Sequence, residues 1–385
     1  EMLRSLVGSE MCIRDRYGGV RMKNTMGNAL TVTLFGESHG EAIGAVIDGI
    51  SPGIKIDVEY IQEKLGQRRP YGKASTKRRE PDKPEFLSGV YNGYTTGTPL
   101  AVMIRNQDTK SGDYEEIRRK PRPSHADLTA AYKYGGFEDF RGGGHFSGRI
   151  TAALVAAGAI VMRALEDKGI YTGTHIKSCH GVCDRDFENY EEDIKLLSSA
   201  QFPVLENREA IEAEMLKAAS EGDSVGGVLE TAVINMPAGT GEPWFDTIEG
   251  MIAHNIFSIP AVKGIEFGAG FAVAEMRGSE ANDGFMYDNG RIVTKTNSSG
   301  GINGGISNGM PIIFRTAVKP TPSIYKAQDT VDLEKEENAK LIIQGRHDPA
   351  VIHRARAVVD AVTALTLADL LTVRFGTDFF KGEKR

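Results

Sequence analysis

The alternation of hydrophobic and polar positions sets the first elements. Residues 28–35 place Leu30, Val32 and Leu34 against Thr31 and Thr33, which predicts a strand. A polar turn follows, Gly36-Glu37-Ser38-His39-Gly40, and residues 42–47 predict a second strand ending at Asp48-Gly49. Asp57 is placed to cap a helix running to Gly66. Residues 86–91 and 100–105 predict a strand pair joined through Thr95-Thr96-Gly97-Thr98-Pro99. Ser124 reads as the cap of a short helix through Lys133, with Asp127 at the capping-box position. That puts His125 in the first turn, where the helix dipole disfavours its charged form.

From Arg149 to Asp167 hydrophobic residues occupy nearly every face. A helix of this kind is buried all round, so sheets should pack against it. Residues 188–221 read as peripheral amphipathic helices. Residues 225–236 and 262–276 are strand-like, 245–256 helical, 311–318 a strand, and 350–373 a final helix. Asp348 before Pro349 reads as the N-cap of that last helix. Residues 1–21 show neither period nor cap and read as an extraneous leader. The expected parse is one domain over 22–385, starting at Met22.

Composition narrows the class. The 385 residues are 40% hydrophobic and 25% charged, as in a soluble globular chain, and the net charge of -6 argues against a general nucleic-acid coat. The cations instead cluster, at Arg68, Arg69, Lys73, Lys77, Arg78, Arg79 and Lys83, and again at Arg118, Arg119, Lys120 and Arg122. On an acidic chain such clusters are either a focused site for a small anion or solvated loops. Of three cysteines, Cys179 and Cys183 flank His180, but no second pair completes a zinc site. They read as reduced thiols in a cytosolic protein. No apolar run reaches membrane-spanning length.

The chemistry concentrates in residues 119–149. Gly142, Gly143 and Gly144 can follow backbone paths closed to other residues, so their amides can approach a ligand. Ser147 is placed to cap the apolar helix, whose start suits an anion, and Arg141 and Arg149 flank it. His39 is either a surface turn residue or an acid on a rigid mount between strands. A second glycine-rich loop spans 300–309, spaced unlike a P-loop or dinucleotide fingerprint. Lys319 then enters a turn stiffened by Pro320 and Pro322.

Several segments resemble one family. Gly36-Glu37-Ser38-His39-Gly40, Arg68-Arg69-Pro70, Arg78-Arg79-Glu80-Pro81-Asp82 and Arg122-Pro123-Ser124-His125-Ala126-Asp127 are similar to segments of the chorismate synthases. So are Arg141-Gly142-Gly143-Gly144, Gly304-Gly305-Ile306-Ser307, Lys319-Pro320-Thr321 and Arg346-His347-Asp348-Pro349. The resemblance covers nearly everything after Met22. It implies an α+β sandwich with central buried helices between two antiparallel β-sheets. It also implies a cytoplasmic homotetramer converting 5-enolpyruvylshikimate 3-phosphate to chorismate and phosphate. That reaction is a 1,4-anti elimination requiring reduced FMN without net redox change.

By the same resemblance, Arg68, Lys73, Arg122, Arg149 and Arg346 would line the substrate site, with Ser38 and Ser147 donating hydrogen bonds. His39 would protonate the departing phosphate. His125 would exchange a proton at the flavin N1/O2 edge, and Asp348 would assist proton removal at N5. His145, Phe146, Ser147, Pro260, Ala261, Gly304, Lys319, Pro320, Thr321, Pro322, Ser323 and Arg346 would hold FMN. This chain has His145-Phe146-Ser147 where many members have Arg-Ser-Ser, Pro260 where Asn is common, and Lys73 where Arg is frequent. The alternatives are an NADPH-dependent flavin reductase using the same site and a non-catalytic anion- or RNA-binding protein. Net charge and only 8% aromatic residues weigh against the last.

Overall fold

The computed structural model describes residues 23–72, 75, 80–107, 115–343 and 348–382. The expectations for the leader and for Lys73, Lys77, Arg78, Arg79 and Arg346 lie outside the described residues.

Two five-stranded antiparallel sheets form the outer layers. The first contains β1 (Thr25–Met26), β2 (Thr31–Gly36), β3 (Ala42–Asp48), β4 (Pro84–Ser88) and β5 (Leu100–Arg105), in the order β1-β2-β3-β5-β4. The second contains β6 (Tyr171–Cys179), β7 (Val182–Cys183), β8 (Gly227–Ile234), β9 (Val262–Phe267) and β10 (Ile312–Val318), in the order β9-β10-β8-β6-β7. The helices of eight residues or more among the described residues are α1 (Val58–Arg68), α2 (Asp127–Tyr134), α3 (Thr151–Asp167), α4 (Tyr190–Ser199), α5 (Arg208–Ser220), α6 (Ile248–Ile256) and α7 (Ile352–Phe375).

Helices α3 and α7 lie between the sheets, α3 against β3 and β5, α7 against β6 and β8. The expected sandwich around buried helices is what the chain adopts. Small residues let the two helices touch: a Cβ on Gly158 would stand 2.4 Å from Ala361 Cβ. The buried Asp369 of α7 accepts from the backbone N–H of Asn28, Ala29 and Leu30 at 2.9, 2.7 and 2.9 Å. It thereby anchors the entry to β2. Among the described residues, one helix is long and apolar enough to cross a membrane, Gly148–Asp167. Counted from Gly148 the run exceeds the expected length, but it is buried in this core.

Four local expectations change. α2 starts at Asp127, capped at Ala126 without a side-chain bond, and Ser124 takes a φ of 59°. Its carbonyl accepts from the distant Lys319, while the Asp127 carboxylate turns back to Arg122. His125 therefore stands before the helix, and the dipole argument lapses. Asp348 does not cap α7, which begins after Val351; its carboxylate pairs with Arg354. The strand expected over 262–276 ends at Phe267, where Gly268 turns with a φ of 55° into a short 3₁₀ segment. Val90–Tyr91 leaves β4 to pair with Tyr94–Thr95. Cys179 is buried and Cys183 exposed, both free, and no group of His, Cys, Asp or Glu among the described residues could hold a metal.

Candidate active site

The glycine-rich loop 141–147 stands between the two histidines. Gly142, Gly143 and Gly144 have φ of 59°, 82° and 53°, a path unfavourable for side chains. Space forbids them as well. A Cβ on Gly142 would lie 2.3 Å from His39 Cε1, and one on Gly143 would lie 3.2 Å from His125 Cε1. The loop is tied to the β2–β3 turn, because Ser38 N donates to Gly144 O at 3.1 Å and His145 Nδ1 stands 2.8 Å from Gly36 O. His145, an expected cofactor residue, is thus joined to the main chain of β2. Phe146 meets the Tyr134 ring edge-on, and the Ser147 hydroxyl accepts from Arg149 N.

Beneath the loop lie two buried guanidinium groups. Arg68, at the end of α1, donates to Gly148 O, Thr151 Oγ1 and Asp82 Oδ2, each at 3.3 Å. Arg149 donates to Asn106 Oδ1 at 3.0 Å and pairs with Asp82 Oδ1. Burial pushes the Arg68 guanidinium down to about 10, against the attraction of Asp82. Burial pushes the Asp82 carboxyl up, but Arg68 and Arg149 outweigh it and hold it below the usual carboxylate range. Asp82 is fully buried at a φ of 48°. Ser38 Oγ, Arg68 Nε and Arg149 Nη2 are buried and have no partner among the described residues. A buried donor without an acceptor is costly, and two of these belong to the guanidinium groups that share Asp82, an arrangement that suits an anionic guest.

The second histidine sits in a smaller network. His125 Nδ1 is 2.6 Å from Asp127 Oδ1 and 3.1 Å from Arg122 Nη2. Arg122 grips Asp127 through Nε and Nη2, both at 2.8 Å. Burial raises the Asp127 carboxyl, but its bonds from Arg122 and His125 leave it well below the ordinary range. Lys319 Nζ donates to Ser124 O and so brings residues 319–323 beside His125. Thr321 Oγ1 is buried without a partner among the described residues, and Lys319 N donates to Ala261 O at 2.9 Å. Lysine and an unpartnered hydroxyl fit the phosphate of a cofactor.

The other residues picked from the sequence make contacts outside these two networks. Asp348 reaches the centre indirectly, since its partner Arg354 also donates to Arg68 O at 2.9 Å. Pro260 is exposed, and Gly304 lies in the hairpin Ile302–Asn303/Ile306–Ser307, which packs on Thr247 and Glu242. Arg141 pairs with Asp139 and Lys120 with Glu116 near the surface, while Arg119 pairs with the buried Asp332, so those cations are engaged in ion pairs of their own. Sequence reasoning assigned no role to Asp82 or Asn106. Asp82 stood within a basic motif that could have flagged it; Asn106 carried no signal.

Buried guanidinium groups with unmatched N–H donors, set beside two imidazoles, define a class: an α+β enzyme site for a small, multiply charged anion. The comparisons with known proteins narrow it. A family model described as Chorismate synthase matches residues 30–372. The chorismate synthase of Thermococcus gammatolerans is 49% identical over 351 residues, covering 90% of this chain and 97% of that protein. That of Aeropyrum pernix is 47% identical over 356 residues, with 91% and 93% covered. A crystal structure of chorismate synthase superposes with a TM-score of 0.72 at 29% identity, covering 92% of this chain and 95% of that one. The chain belongs to the chorismate synthase family, phosphate lyases that use reduced FMN.

Proposed function

We propose that this chain eliminates phosphate from 5-enolpyruvylshikimate 3-phosphate to form chorismate. The observation that carries the reading is the trio of buried donors, Ser38 Oγ, Arg68 Nε and Arg149 Nη2, without partners. A phosphate or carboxylate supplies the acceptors they lack. His39 lies against Gly142 at the edge of this trio, placed to give a proton to the departing phosphate. Arg122 adds a third cation, held at its angle by Asp127. His125 moves a proton from the opposite side of the loop, and Asp348, oriented by Arg354, would assist proton removal at the flavin N5. Reduced FMN, when bound, supplies the electron density that makes the carbon–oxygen bond labile. His145, Phe146, Ala261 and residues 319–323 would hold it, with Lys319 and Thr321 toward its phosphate. We read residues 22–385 as one domain and the working form as a cytoplasmic homotetramer.

The test is an anaerobic assay with the substrate and chemically reduced FMN, following chorismate absorbance and phosphate together. Equal yields are expected, with most turnover lost in His125→Ala and Asp348→Ala that still fold. Near-full turnover in both variants would refute the assigned roles, and no chorismate from folded wild type would refute the activity. Repeating the assay with oxidised FMN and NADPH separates a chain that reduces its own flavin from one fed by an outside reductase. Steady NADPH oxidation without chorismate would favour a flavin reductase.

A further inference from the structure

We propose that Asn106 is a positioning residue that fixes the His39 turn against Arg149. The proposal rests on the reading of His39 as the acid given above. Asn106 follows directly on β5, a strand paired on both sides, so the sheet holds its main chain. Its backbone N–H donates to Glu41 O at 3.0 Å. Its side-chain Nδ2 donates to Glu37 O at 3.0 Å and Gly40 O at 2.8 Å, the two carbonyls that bracket Ser38 and His39. Its Oδ1 accepts from Arg149 Nε at 3.0 Å.

The orientation of this amide is forced. Arginine only donates and carbonyls only accept, so a flipped amide would set N–H against N–H and oxygen against two oxygens. One planar group thus spans from the turn that carries the proton donor to the guanidinium that faces the anion. Asp82 holds the far end of Arg149, so the cation cannot swing to follow a displaced turn. Other bonds at the turn run from Ser38 N to Gly144 O, from Gly40 N to Glu37 O, and between His145 Nδ1 and Gly36 O, and none of them reaches Arg149. Asn106 therefore sets the spacing between His39 and the bound phosphate. Misplacing a reacting group by about 1 Å can cost on the order of 100-fold in rate.

The experiment is a double-mutant cycle in the anaerobic assay with reduced FMN, reading kcat and KM for Asn106→Ala, His39→Ala and the pair. Asn106→Ala is expected to lower kcat by roughly 30- to 100-fold, with a smaller rise in KM. If Asn106 acts through His39, the pair loses little more kcat than His39→Ala alone. Asn106→Asp, nearly isosteric, keeps the acceptor for Arg149 but sets a carboxylate against the two carbonyls, and should lose kcat comparably. It carries the same cycle if the alanine variant does not fold. Additive losses, or wild-type kcat without Asn106, would overturn the proposal. Wild-type kcat in His39→Ala would instead remove the reading of His39 on which it rests.

Discussion

Asp127 shows how one carboxylate can set the chemistry of its neighbours. Oδ1 receives Arg122 Nη2 at 2.8 Å and lies 2.6 Å from His125 Nδ1. A carboxylate there keeps the proton on Nδ1, because Arg122 cannot accept one. Nε2 is then the atom free to take a proton beside Gly143. We expect Asp127→Asn to lower kcat by about 10- to 100-fold, in the range typical of acid–base contributions, and to move the His125 proton to Nε2 as seen by ¹⁵N NMR. An unchanged tautomer would reject the assignment. His353 gives a second prediction. Burial first, then the Arg354 charge, push this imidazole down to about 4, with Asp348 opposing weakly. A pKa depressed in the fold means that the native state resists a proton the unfolded chain takes up near pH 6.5. Its contribution is therefore full above pH 6.5 and falls by about 3 kcal/mol as pH drops toward 4. The stability difference between wild type and His353→Gln, followed by denaturant unfolding, should shrink by that amount across this window. A difference that stays flat would mean that His353 carries its proton in the folded state.

At the scale of elements, the contact of α3 and α7 decides whether the two sheets sit at the right spacing. Alanine normally favours a helix over glycine by about 1 kcal/mol. At Gly158 the added Cβ would lie 2.4 Å from Ala361 Cβ and 2.9 Å from its carbonyl oxygen, so helix α7 must move. Overpacking of this kind typically costs about 1–3 kcal/mol, and it outweighs the propensity gain. Gly158→Ala should lower the melting temperature, and adding Ala361→Gly should recover part of the loss. A melting temperature at or above wild type would show that the helices have room. The burial of α3 was legible because its apolar residues face every direction, which only a core satisfies; α7, which buries His353, Arg356, Asp360 and Asp369, carried no such sign. The caps were not legible either. Ser124 and Asp348 have the right residue types in the right places, yet Lys319 and Arg354 engage them instead. The same holds within the site. The glycines, arginines and histidines announced themselves through local motifs, whereas Asn106 acquires its meaning only from Arg149, a residue brought near by the fold.

Across the whole molecule, polarity is inverted in two places. Cations lie inside, where Arg68, Arg149 and Arg356 are buried in an acidic chain. Aromatic side chains lie outside: Trp244, Phe245 and Phe271 on 3₁₀ turns, Phe285 and Tyr287 on the hairpin Phe285–Asp288/Arg291–Thr294. Every residue of Phe285–Asp288 is exposed, Phe285 at 69% and Tyr287 at 78%. A two-stranded hairpin is marginal in water by itself, and exposed apolar groups in such number mark an association surface. The homotetramer proposed above would give the exposed rings a reason, since a neighbouring copy would cover them and brace the hairpin. Charge on the hairpin should then break the assembly without touching the core, because neither side chain is buried in the single chain. Phe285→Asp with Tyr287→Asp is expected to reduce the particle below four chains in light scattering, while far-UV circular dichroism stays unchanged. Four chains in both proteins would place the interface on another face, and a single chain in wild type would refute the tetramer.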